Sequence, residues 1–189
     1  LQRIQITPDW VPVPEPPSAA TGMHRFVWDL HYALKEELAG PTRGFRGGAG
    51  PWAPPGRYTA RLTRGGKAVT QPLVVAKDPR LAPSISDSDL VHQYELARDV
   101  EAERVRVAAA LRQATSLRKQ LGSARDKAPA AAASALDDLS KAIDGAAGPP
   151  QLGSGEAFFG APEGSPTSLR RLASSLADLQ SMIESADAG

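Results

Sequence analysis

Apolar side chains recur at three- and four-residue spacings from Leu90 through Tyr94, Ala97, Val100, Val107, Leu111, Ala114 and Leu117 to Leu121. That spacing draws one stripe down a helix. Ser86-Asp87-Ser88-Asp89, directly in front of the stripe, is a cluster of N-cap formers, so the pattern predicts a helix from Ser86 to about Lys127. At 1.5 Å per residue a helix of about 38 residues within that span is about 57 Å long and must lean on other helices. Two later stretches can supply them. One runs from Ala130 to Asp144 with Leu136, Leu139 and Ile143. The other runs from Pro166 to Ala186 with Leu169, Leu172, Leu176, Leu179, Ile183 and Ala186. The last set alternates three and four without a fault, the seam expected of a small antiparallel bundle or coiled coil. Gly122 weakens the end of the long helix, Pro129 opens the second, and Ser165-Pro166 reads as cap and first position of the third. Phe158-Phe159 is the strong apolar pair of the intervening loop and is placed at one end of the bundle.

Upstream of residue 86 the period changes. Phe26, Trp28 and Leu30 alternate with Val27 and Asp29, which predicts a strand whose large side chains face a core. Gly40 to Gly56 is a long loop rich in Gly and Pro, with Trp52 placed to fold back over apolar surface. Arg57 to Thr63 alternates again, with Tyr58, Ala60 and Leu62 on one side; Arg64-Gly65-Gly66 supplies a hairpin turn, and Lys67 to Val75 returns. Pro72 marks this second strand as an edge or as bulged. Residues 1–21 have poor periodicity and a proline-dense middle, Val11 to Pro17, which reads as a linker or a surface-lying extended segment. Lys77-Asp-Pro-Arg-Leu-Ala-Pro83 is a stiff connector in which Asp78 and Arg80 either pair or remain solvated. The organisation is thus residues 1–21 as linker, 22–80 as a β-sandwich domain and 86–189 as a helical bundle domain.

Composition narrows the function classes. In 189 residues, aromatics make up 5% while Gly and Pro contribute 17 each, so the core is modest and the loops substantial. The net charge of +1 makes no case for nucleic acid or an anionic membrane, yet it is divided. Residues 1–85 hold 11 Lys/Arg against 6 Asp/Glu, and the remainder holds 11 against 15. The absence of Cys excludes disulfides, thiol catalysis and thiolate metal sites. No stretch is apolar for long enough to insert in a membrane. Leu1 in place of an initiating Met predicts further sequence upstream.

Candidate chemistry is sparse. His24 and His31 stand seven apart in a strand-like segment and His92 lies on the long helix, whereas zinc needs three or four converging ligands, so no metal or cofactor is expected. Asp29 and His31 read as hydrogen-bonded structural neighbours. Asp137-Asp138 and Glu101 with Glu103 read as solvated helix faces, not as paired acid/base carboxylates. The arginines of the long helix alternate with acids, unlike a nucleic-acid helix. Gly47-Gly-Ala-Gly-Pro-Trp has neither phosphate-loop spacing. Trp28, Trp52 and Tyr58 are the candidate ligand contacts, should they share an exposed face.

Gly22-Met-His-Arg-Phe-Val-Trp-Asp-Leu-His-Tyr32, Pro54-Pro-Gly-Arg-Tyr-Thr-Ala-Arg-Leu-Thr63 and Thr70-Gln-Pro-Leu-Val-Val-Ala-Lys-Asp-Pro-Arg80 together resemble the C-terminal region of large secreted bacterial proteins. Those proteins carry an N-terminal β-propeller of the sortilin-like or BNR-repeat glycosidase-like group. The resemblance covers most of residues 22–121 and, more loosely, 165–188; the propeller and the strand pair that usually precedes the Pro-rich stretch have no counterpart. It implies an immunoglobulin-like or FlgD-like β-sandwich followed by helices, in an extracellular or periplasmic setting. The expected class is therefore α+β: a small immunoglobulin-like sandwich, complete or incomplete, followed by an antiparallel three-helix bundle. The expected function is a non-enzymatic accessory or scaffolding region that packs on or extends a secreted propeller or mediates assembly, with the upstream propeller or a second copy as partner. The alternatives are a carbohydrate- or peptide-binding module and a non-catalytic part of a glycosidase-like enzyme.

Overall fold

The computed structural model describes residues 20–38, 50–81, 83–148 and 167–185. Among them the chain is α+β, with a two-stranded antiparallel sheet and three α-helices. The strands are β1, Gly56–Arg64, and β2, Lys67–Val75; the helices are α1, Asp87–Arg125, α2, Ala133–Ala147, and α3, Leu169–Ser185. The chain divides into two compact units, Leu1–Arg98 and Asp99–Gly189. Val11–Pro17, most of the Gly-rich loop and Phe158-Phe159 lie outside the described residues.

In the first unit the hairpin follows from its turn. Gly65 and Gly66 have φ of 54° and 77°, the two positive values that a two-residue turn of the right twist requires. From Arg64↔Lys67 the register runs without a slip to Gly56↔Val75, so Pro72, opposite Thr59, sits at an edge and makes no bulge.

The strand expected over residues 22–32 does not form. Among the described residues its backbone pairs at a single bridge, His31 with Trp52, and Leu30 takes a left-handed φ of 63°. Phe26 is 68% exposed and Leu30 is also exposed, instead of facing a core; Trp28 is half-buried. Two local causes act together. The Asp29 carboxylate accepts the His31 N–H at 3.1 Å, a side-chain turn that competes with a ladder. The facing segment contains Pro51, Pro54 and Pro55, which have no N–H to extend the pairing.

α1 begins as its caps predict. The Ser86 hydroxyl accepts the Asp89 N–H at 3.2 Å, and the Asp89 carboxylate accepts the Ser86 N–H at 2.8 Å, a reciprocal capping box. The Ser86 hydroxyl also donates to this carboxylate at 2.7 Å, and these bonds hold the Asp89 carboxyl below its usual range. Lys77 ties the connector to this end by donating to the Ile85 carbonyl at 2.6 Å.

In the second unit, ion pairs fix which part of α1 each short helix meets. Arg118 pairs with Asp144 at 2.7 Å and Arg125 with Asp137 at 3.0 Å. Seven residues forward on α1 correspond to seven backward on α2, so these two helices run in opposite directions. Arg104 donates to Gln180, while Leu111, Arg112 and Thr115 share a groove with Arg170, Ala173 and Ser174. α3 therefore lies along residues 104–115 of α1 and α2 along 118–125, one after the other. They meet at Gly148, whose φ is 85° and where a Cβ would stand 3.1 Å from Arg170 Cβ. These contacts pair each short helix with α1 and do not show the antiparallel three-helix bundle expected from sequence.

Burial agrees with that arrangement. On α3 the covered positions are Leu169, Arg170, Ala173, Leu176, Ala177, Gln180, Ile183 and Glu184, while Leu172 and Leu179 stay 46% and 41% exposed. On α2 they are Ala133, Leu136, Asp137, Ser140, Ile143, Asp144 and Ala147, with Leu139 exposed. Among the described residues α1 is the long neighbour of each short helix, and the stripe it covers leaves those leucines out. On α1, Ala97, Val100, Val107 and Ala114 are buried as expected, but so is Glu101, at 3% exposure, which the sequence placed on a solvated face. It lies one turn beyond Ala97, on the covered stripe.

Candidate interaction surface

The residues preceding the hairpin form a small aromatic cluster built around His31. Pairing across the bridge is carried by Tyr32 N–H to Pro51 O at 3.0 Å, Gly50 N–H to Tyr32 O at 2.9 Å and Ala53 N–H to Leu30 O at 2.7 Å. Only glycine fits at position 50, where a Cβ would lie 2.7 Å from the Tyr32 carbonyl oxygen. The Trp28 indole donates to the His31 carbonyl at 2.7 Å, and its ring meets Tyr58 edge-on at 5.6 Å. The Tyr58 hydroxyl donates to the Pro54 carbonyl at 2.6 Å. Trp52 lies over the His31 ring at 3.7 Å, and the Asp29 carboxylate is 3.6 Å from His31 Nδ1. Tyr32 stacks on Tyr94 of α1 at 5.2 Å, and burial, then the Tyr32 hydroxyl, raises the Tyr94 pKa.

The three aromatic residues singled out from the sequence are thus gathered, in two different roles. Trp28 and Tyr58 are half-buried with their polar ends satisfied internally, which anchors β1 to the preceding segment. Trp52 presents ring to solvent beside them. Asp29 and His31 are hydrogen-bonded neighbours through a turn.

The hairpin beyond this anchor is open. Cross-strand partners put Tyr58 with Leu73, Ala60 with Gln71 and Leu62 with Val69 on one face. Leu62 is 72% exposed and Val69 69%. The other face carries Arg57, Arg61, Thr59, Thr63, Thr70 and Val74. Arg57, Arg61, Arg64 and Lys67 give the hairpin four positive charges and no carboxylate. Sequence alternation had identified the apolar face; that it lies bare is visible only in the fold.

The helical unit offers a shallower feature. Arg118 donates to Asp144 and to the Gly148 carbonyl, fastening the end of α2. Beside it a groove of about 540 Å³ is lined by Leu111, Arg112, Thr115, Arg170, Ala173 and Ser174. Burial, and then Arg118, lowers the Arg170 pKa. Among the described residues no group of three or more His, Asp or Glu could hold a metal ion, and no helix is long and apolar enough to cross a membrane. No family model matches the chain, and no curated protein or solved structure matches it.

Proposed function

We propose that this chain is a non-enzymatic accessory module that joins a larger assembly through its hairpin. The observation that carries the reading is the apolar face of Tyr58, Leu62, Val69 and Leu73, with Leu62 and Val69 about seven-tenths bare. A two-stranded hairpin is marginal in water by itself and becomes stable when a third strand or a covering layer is added. In this reading the hairpin is the exposed part of an immunoglobulin-like sandwich completed by a partner surface. The resemblance supports an extracellular or periplasmic setting and an upstream propeller as the body to which the module belongs. The aromatic anchor supports it too, because it holds the base of β1 while leaving the rest of the strand clear.

Light scattering over a wide concentration range, with Leu62→Asp/Val69→Asp as control, tests this. Concentration-dependent association or aggregation, relieved by the paired substitution, is the expected result. A chain that stays monomeric throughout, with every hairpin amide protected from exchange, would overturn the reading.

A further inference from the structure

The open hairpin has two edges, and they are not equivalent. In a two-residue turn the closing residues exchange both hydrogen bonds, so Arg64↔Lys67 is a bonded pair and bonded pairs recur at every second position. Leu62↔Val69, Ala60↔Gln71 and Tyr58↔Leu73 are then bonded inward. The N–H and C=O groups of Arg57, Thr59, Arg61 and Thr63 point away from β2, and those of Ala68, Thr70, Pro72 and Val74 point away from β1. Pro72 therefore interrupts the outer edge of β2 at its middle, where it has no N–H to give. The outer edge of β1 is complete. Among the described residues no other backbone is hydrogen-bonded to it.

Charge says what can lie there. Arg57 and Arg61, four residues apart, stand on one face of β1, with Tyr58, Ala60 and Leu62 on the other. Among the described residues, neither arginine is in an ion pair. A second copy pairing β1 with β1 would gather four arginines on one side of the sheet, and like charges opposed across strands are unfavourable. A strand that alternates apolar residues with carboxylates four apart meets both faces.

Resting on the assembly reading, we propose that the outer edge of β1 is a strand-addition site for an extended segment in which apolar and acidic residues alternate. The added strand continues the sheet by main-chain hydrogen bonds to residues 57–63, sets its apolar side chains beside Leu62 and Tyr58, and places its carboxylates against Arg57 and Arg61.

The experiment uses the whole chain and a fluorescent peptide of about nine residues in which valine alternates with glutamate and threonine, the glutamates four apart. Binding is read by anisotropy and by amide exchange. The expected result is saturable binding that weakens with salt, with Thr59, Arg61 and Thr63 amides exchanging fast in the free chain and protected in the complex. Thr59→Pro removes an outward N–H that the hairpin does not use and is expected to weaken binding about tenfold, as is Arg61→Glu, while Thr70→Pro on the other edge leaves it unchanged. Equal binding of a lysine-for-glutamate peptide, loss on Thr70→Pro but not Thr59→Pro, or slow exchange of the three amides in the free chain would each overturn the proposal. Should the peptide fail to bind while Leu62→Asp/Val69→Asp still abolishes association, the edge site falls and the assembly reading stands.

Discussion

The narrowness of the α3 seam can be measured. Leu179 and Ile183 belong to the same faultless three-four alternation, yet the structure leaves Leu179 41% exposed and Ile183 only 9%. Changing either to Ala removes three carbons. Complete burial at about 0.8 kcal/mol per carbon makes the Ile183 loss about 2.4 kcal/mol, and among the described residues the contact is two helices thick, so collapse of the gap should keep the cavity contribution small. Scaling the Leu179 loss by its covered fraction gives about 1.4 kcal/mol. Ala is the better helix former in both cases, by a few tenths of a kcal/mol more against Ile, which narrows the expected difference to about 0.8 kcal/mol. Urea unfolding followed by far-UV circular dichroism, with a shared slope for the variants, resolves such a gap through the midpoints. Leu172→Ala, at 46% exposure, should fall with Leu179→Ala. If either leucine costs as much as Ile183, the stripe is covered by a further neighbour and the tandem arrangement of α2 and α3 along α1 is refuted.

Gly50→Ala should destabilise the aromatic cluster, because a Cβ 2.7 Å from the Tyr32 carbonyl oxygen forces apart the backbone bonds that Tyr32 makes with Gly50 and Pro51, a loss of about 1–3 kcal/mol. Fluorescence of Trp28 and Trp52 during urea titration reads it, and an unchanged midpoint would show that the bridge is not stabilising. The Asp78 carboxyl is lowered to about 2 chiefly by the Arg80 guanidinium, with the Arg80 N–H also donating at 2.9 Å. A carboxyl depressed on folding contributes what stability it has above its ordinary pKa and loses it as pH falls through the folded value, here between about 4 and 2. A carboxyl-carbon titration by nuclear magnetic resonance should show that depressed midpoint moving up in Arg80→Gln, and a midpoint near the ordinary value in the unaltered chain would count against the pair.

Local signals were enough for several elements. Ser86-Asp87-Ser88-Asp89 specifies its own capping box, and the stripe behind it specifies α1, because both depend on contacts within a turn or two of helix. Gly65-Gly66 between alternating runs specifies the hairpin and, through the closing pair, the phase of its hydrogen bonds. With Pro72, that phase already distinguishes the two edges. What the sequence could not settle was which faces find cover. Phe26, Trp28 and Leu30 have the alternation of a strand, but a strand needs a neighbour with free N–H groups, and the segment opposite is interrupted by prolines while Asp29 turns the chain. Leu172 and Leu179 have the spacing of a seam, but Ala173 and Gln180 occupy it, because among the described residues α1 is the long helix alongside and its contact leaves those leucines out. Glu101 is buried for the same reason in reverse: its burial depends on where the covered stripe of α1 falls. Periodicity determines where apolar side chains point along an element; burial depends on what lies opposite, which is a property of the tertiary structure.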